Sequence, residues 1–133
     1  MLEGLAPGTS HEIEITVGAD RTAHTMGNVG VHVFATPWMI ALLENACNAL
    51  LRPHLPAGGG SVGTMVDVHH LAATPVGLKV RARATVLEVH GRRVLFQVEA
   101  ADEVEKIAEG RHERFAVADM ARFLARAQAK ARS

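Results

Sequence analysis

One segment constrains the fold of this chain more than any other: Thr36–Leu51, TPWMIALLENACNALL. It is rich in Leu, Ala and Met and has no Gly or Pro beyond Pro37 at its start, so it predicts a helix. Thr36 followed by Pro37 reads as an N-cap and a proline at the first helical position, and the proline disfavours helical backbone at Thr36. Pro53 and the run Pro56–Gly60 end the helix. At 100° per residue, Glu44, Asn45, Asn48 and Arg52 share one arc of roughly 100°. Trp38, Met39, Leu42, Leu43, Ala46, Cys47, Ala49 and Leu50 cover the rest. A helix that is apolar around most of its circumference is buried on most sides. In a chain of 133 residues, a sheet wrapped around the helix is one way to achieve that.

The remaining sequence supplies such a sheet. His11–Val17 alternates Ile13, Ile15 and Val17 with Glu12, Glu14 and Thr16, the two-residue period of a half-buried strand. Gly18–Gly30 is loop-like. Ser61–Ala73 is a long β-compatible run. Leu78–His90, Arg92–Ala100 and Val104–Val117 add three more strands, linked by the short clusters TPVG, HGRR and ADE, so they are expected as antiparallel neighbours. Asp119 caps a last short helix with Met120, Phe123, Leu124 and Ala127 at helical spacing, which leads into the Ala- and Arg-rich tail ending at Ser133. The order of strand, loop, long helix, four strands and short helix predicts an α+β fold in one domain, residues 1–133.

Composition narrows the function classes. Fourteen Lys and Arg balance fourteen Asp and Glu, which disfavours a protein built for phosphate backbones. No apolar run reaches the roughly 18 residues of a membrane span. The N-terminus lacks the pattern of a secretory signal, so a cytoplasmic protein is expected. The single cysteine, Cys47, sits on the apolar arc and reads as a packed thiol. No phosphate loop, dinucleotide fingerprint or nucleophile elbow is present. Eight histidines include no metal-binding spacing, and neither nucleic acid, membrane, metal nor cofactor is expected as a partner.

Single residues remain. Thr36 stands at the helix start, where free N–H groups and the positive end of the dipole converge. Glu44 lies on the polar arc. His70 lies in a strand, on one face with Thr64, Val66 and Val68. Taken alone these are an N-cap, part of a solvated stripe and an ordinary strand histidine. Gly63 reads as a bulge, and Arg114 as a partner of Glu113 or of a cross-strand acid.

The segments VFATPWMIALLENAC, GTMVDVHHLAATPVG and GRRVLFQVEA…EGRHER nevertheless share a pattern. It is a Thr at the helix start, a Glu eight residues later, then G-T-x(5)-H-x-A-A-T-P, then H-E-R. Over Val33–Phe115 the chain resembles the fluoroacetyl-CoA thioesterase branch of the hot-dog-fold superfamily. The resemblance implies an antiparallel sheet wrapped around one long central helix. It implies an acyl-CoA thioesterase, with the catalytic threonine, glutamate and histidine at Thr36, Glu44 and His70. The substrate-contacting glycine and arginine fall on Gly63 and Arg114. It also implies a homodimer or dimer of dimers, with two sheets joined edge to edge and the acyl-CoA in a groove between protomers. Coenzyme A is then part of the substrate. The stretch MGNVGVHVF is shorter and poorer in aromatics than the lid segment of the fluoroacetyl-specific member, so thioester hydrolysis is implied more directly than choice of a fluorinated acyl group.

Elementary chemistry agrees. A thioester carbonyl needs donors where the oxyanion develops, and the helix start offers Trp38 and Met39, with a strand N–H near Gly63. His70 is suited to be the general base and Glu44 to orient it. The three groups are expected to meet in one cleft beside the helix start once the partner protomer is included. The rival readings are a non-catalytic acyl-CoA binding or sensing module on the same fold and an enoyl-thioester hydratase or dehydratase. The latter has only Asp67 and His70 to offer, on opposite faces of a strand.

Overall fold

The computed structural model of the chain describes residues 1–132, so the tail's last residue, Ser133, lies outside the described residues. Five strands form one antiparallel sheet: β1 (Ser10–Thr16), β2 (Gly60–His70), β3 (Lys79–His90), β4 (Arg93–Asp102) and β5 (Lys106–Val117). Their spatial order is β1-β3-β4-β5-β2. Helix α1 (Thr36–Leu51) keeps the boundaries read from the sequence, and α2 (Met120–Gln128) follows β5. Asp119 accepts a bond from the Arg122 N–H at 3.0 Å and so caps α2 as expected. The Gly18–Gly30 stretch is not plain loop, since it holds two 3₁₀ turns, Ala19–Arg21 and Ala23–Met26.

The sheet wraps α1 because of what its inner face carries. Val80, Ala82, Ala84 and Val86 on β3 are buried, as are Val94, Phe96, Val98 and Ala100 on β4. The alanines leave room for the helix to lie close, and α1 fills that room with Met39, Leu42, Leu43, Leu50 and Leu51. Each such fully buried large side chain stabilises the fold by about 1.5–3 kcal/mol. The opposite face carries Glu12 against Arg83, and Glu14 against Lys79 and Arg81. These are exposed pairs of small energetic weight. Cys47 is buried, and desolvation pushes its thiol up to about 12. It is packed, as its place on the apolar arc indicates.

Four expectations need correction. The N-cap of α1 is Ala35, and Thr36 is the first helical residue, so its hydroxyl is free for another partner. Trp38 is not part of the buried arc: it is exposed, with the Arg21 guanidinium 5.0 Å from its ring centroid. The TPVG link does not join neighbouring strands. β2 pairs with β5, and the chain crosses to β3 through a segment held by Phe34 N–H to the Thr74 carbonyl and by Gly77 N–H to the Val17 carbonyl. A cluster of turn residues marks a change of direction but not which strand lies next door.

Thr64 is the fourth correction. The β2–β5 register runs Ser61↔Ala116 and Gly63↔Arg114, skips Thr64, and resumes at Met65↔Glu113, Val66↔His112 and His70↔Ala108. Thr64 is the extra residue of a β-bulge, and its hydroxyl bonds the Glu113 carboxylate at 2.6 Å instead of sharing the face of His70. The bulge changes the parity of the strand. Ser61 and Gly63 face α1 before it, and Val66, Val68 and His70 after it. Gly110, opposite Val68, lets the strands close up, because a side chain there would run into the Asp67 carbonyl.

Candidate active site

The N-terminus of α1 and the C-terminal end of β2 meet. Thr36 Oγ1 lies 2.7 Å from His70 Nδ1. The pair borders a cleft of about 410 Å³ whose wall includes Val31, Val33, Phe34 and Ala72. Burial lowers the His70 pKa below the usual histidine value, against a smaller opposite effect of the Ala72 backbone. The imidazole is therefore neutral at neutral pH and able to take a proton from the hydroxyl. Nε2 is buried and has no hydrogen-bond partner among the described residues, while the Ala72 backbone lies close enough to favour the protonated ring. The Met39 N–H bonds the Ala35 carbonyl at 2.9 Å, so that donor is committed to the helix. Trp38 remains as the helix-start donor.

Glu44 lies elsewhere. Two turns along α1 are about 12 Å, and there Glu44 Oε2 stands 3.5 Å from Arg114. Arg114 is only 7% exposed. Its Nε donates to Ser61 Oγ at 2.8 Å and its Nη2 to the Ser61 carbonyl at 2.9 Å. Ser61 Oγ in turn donates to Asn48 Oδ1 at 2.7 Å. Asn48 thus serves Ser61, and Glu113 serves Thr64 and Arg93, so Arg114 pairs with Glu44 and not with its chain neighbour. Gly63 completes this corner: a Cβ there would stand 3.0 Å from Glu44 Oε2 and 3.6 Å from Arg114. Only glycine leaves the backbone open to a ligand at this point.

Thr36 and His70 therefore form one cluster within a protomer, and Glu44, Gly63 and Arg114 form another. Both lie on the inner face of β2 because of the bulge. Asp67 does not join His70, since it occupies a cleft of the opposite face with His69, Glu109 and Arg111. Among the described residues no group of three or more His, Cys, Asp or Glu is placed to hold a metal, and no helix is long and apolar enough to cross a membrane.

The sequence reading missed His112. It is 1% exposed and lies between Gly63 and Arg114. The available signal was its spacing: two residues from Arg114 on a strand, it had to share that residue's face.

The chain as a whole is similar to known proteins. Residues 17–120 match the family described as FlK, fluoroacetyl-CoA-specific thioesterase. The fluoroacetyl-CoA thioesterase of Streptantibioticus cattleyicolor is 45% identical over 98 residues, 74% of this chain and 70% of that protein. A solved structure of the fluoroacetyl-CoA thioesterase FlK superposes with a TM-score of 0.90 at 34% identity, covering 96% of this chain and 98% of the other. A hot-dog-like protein from Thermanaerovibrio acidaminovorans superposes with a TM-score of 0.82 at 26% identity, covering 96% and 93%. With its hot-dog fold and the thioesterase pattern of its sequence, the chain belongs to the fluoroacetyl-CoA-specific thioesterase family.

Proposed function

We propose that the protein hydrolyses short acyl-CoA thioesters to a carboxylate and free coenzyme A, at sites formed where two copies of the chain meet. The observation that carries this reading is the 2.7 Å contact between Thr36 Oγ1 and His70 Nδ1 at the mouth of a cleft. In the proposed reaction the Thr36 oxygen attacks the thioester carbonyl carbon while its proton passes to His70. Donors at the helix start stabilise the oxyanion. The carbon–sulfur bond then breaks, the coenzyme A sulfur takes the proton from His70, and water hydrolyses the threonyl ester. Acetyl-CoA and fluoroacetyl-CoA are the first substrates to try, given the fluoroacetyl-CoA thioesterase to which the chain is similar.

Glu44 belongs to the site through a second copy. β2 is an open edge of 11 residues with Met65 and Val66 exposed, whereas the other edge, β1, has 7 residues and carries Glu12 and Glu14. β2 carries a single carboxylate, Asp67, and a longer and less charged edge pairs more readily. Antiparallel pairing of two β2 strands centred on Asp67, with Thr64 skipped as it is against β5, sets Gly63 of each opposite His70 of the other. The Glu44 carboxylate of one copy then lies beside the His70 imidazole of the other and stabilises the imidazolium.

Complementation tests both parts. Thr36→Ala and Glu44→Ala are each expected to lower thiol release by about 10²–10⁴-fold. Co-refolded in equal amounts, half of the dimers are mixed and each mixed dimer has one complete site of two. About a quarter of wild-type activity should then return. No recovery in mixtures shown to contain the mixed dimer sinks the shared site. No thiol release by the folded wild type from any short acyl-CoA, with binding intact, favours a sensing module over a hydrolase.

A further inference from the structure

We propose that His112 is a positioning residue of this active site: in its neutral form, protonated on Nδ1, it fixes the Arg114 guanidinium toward Glu44 and ties it to the bulge that holds Gly63. The inference rests on the reading of Glu44, Gly63 and Arg114 given above. Arg114 Nη1 lies 3.2 Å from His112 Nε2, and His112 Nδ1 lies 2.8 Å from the Met65 carbonyl. A guanidinium only donates. Nε2 must therefore accept, which leaves the proton on Nδ1, where it donates to Met65. Only one of the ring's three protonation states satisfies both contacts. Protonating Nε2 would set one N–H against another and release Arg114.

The geometry links this ring to the chemistry through two bonds. Nη1 of Arg114 reaches both His112 and Glu44, at 3.2 and 3.5 Å, so the acceptor on His112 sets the direction in which the guanidinium meets the carboxylate. Met65 is the residue at which the β2 register resumes after Thr64. Cε1 of His112 would lie 3.0 Å from a Cβ at Gly63, so the ring forms the floor beneath that glycine. The groups facing His112 are Arg114 and Glu113 on β5, Glu44 on α1 and the Met65 carbonyl on β2. β4 contributes the apolar Phe96. Burial, the first cause, lowers the His112 pKa, and Arg114 acts in the same direction. The Met65 carbonyl and the two carboxylates oppose them.

Two measurements test the inference. The acid limb of kcat/KM on a short acyl-CoA should approach a slope of two in the wild type, one proton on His70 and one on His112. His112→Gln offers an amide donor and acceptor in place of the ring. It should keep activity within about threefold at neutral pH, with an acid slope of one, whereas His112→Phe should lose more than tenfold in kcat/KM. An unchanged slope of two in His112→Gln, or full activity in a folded His112→Phe, overturns the proposal. Imidazole ¹⁵N spectra of the wild-type protein decide the matter even if the Phe variant fails to fold. They should show the Nδ1–H tautomer of His112, with the Arg114 side-chain resonances shifting in the same titration step. An Nε2–H tautomer, or an Arg114 signal indifferent to that step, overturns it. The spectra do not depend on turnover, so absence of thiol release in the wild type sinks the hydrolase reading separately.

Discussion

At the residue scale, the site depends on side chains whose roles are set by their contacts. Thr36 was legible as special because of where the helix starts, yet its hydroxyl serves His70 and not the helix, since Ala35 takes the cap position. Gly63 is where a single methyl group has most effect. In Gly63→Ala the new Cβ meets Glu44 Oε2 and His112 Cε1 at 3.0 Å, tighter than ordinary contact, so both must shift by a few tenths of an ångström. The expected outcome is a loss of about tenfold in kcat/KM with little change in Tm, checked by thiol release and thermal melts. A displacement of that size at positioned groups is costly to rate. Equal activity in the alanine variant would show that the glycine serves only the backbone. Arg114 was named from the resemblance, but its partners were not. Nothing in H-E-R says that the first and third residues are buried together and the second is not, beyond the alternation itself.

At the scale of elements, the helix was legible to the residue and the strands nearly so, because their periods, 3.6 and 2, are written in the order of apolar residues. The bulge in β2 was not. Gly63 and His70 are an odd number of positions apart, and in a regular strand they would face opposite sides of the sheet. Thr64, held by the Glu113 carboxylate at 2.6 Å, absorbs one residue and brings both onto the face that meets α1. Deleting Thr64 removes the residue that has no partner on β5, so Gly63↔Arg114 and Met65↔Glu113 become successive pairs and Gly63 and His70 keep their common face. Inserting one alanine between Val66 and Asp67 instead shifts the parity and, if the rest of β2 keeps pairing with β5, turns His69 in place of His70 toward Thr36. The deletion should keep turnover within about tenfold and the insertion should lower it by more than about 10²-fold, while circular dichroism retains the sheet in both. An insertion variant that still turns over at the wild-type rate would show that the parity of β2 does not align the site.

At the scale of the whole molecule, burial of His70 and His112 couples stability to pH. Both have pKa values lowered below the usual histidine value, chiefly by desolvation. Over the range between their native values and the unfolded value near 6.5, the unfolded chain binds more protons than the native one. Stability is therefore full above about pH 6.5 and declines as pH falls through the native values. Urea unfolding at pH 7.5, 6.0 and 5.0 checks this. His112→Gln should flatten the decline, and an unchanged pH dependence in that variant would place the effect in other groups.

The sequence by itself determined the elements, the buried rod and the sheet around it, because these follow from local periodicity and from the need to hide apolar surface on most sides of one helix. It also carried the spacing from Thr36 to Arg114 that marks the family. Strand order, the parity of β2 and the division of the site into two clusters were decided only in three dimensions. A turn sequence does not specify which edge it reaches, a bulge depends on the opposite strand, and eight residues of helix separate Thr36 from Glu44 by more than any side chain spans. The rigidity of α1 is what keeps the carboxylate from its own hydroxyl, and what makes a second copy the natural place to look for it.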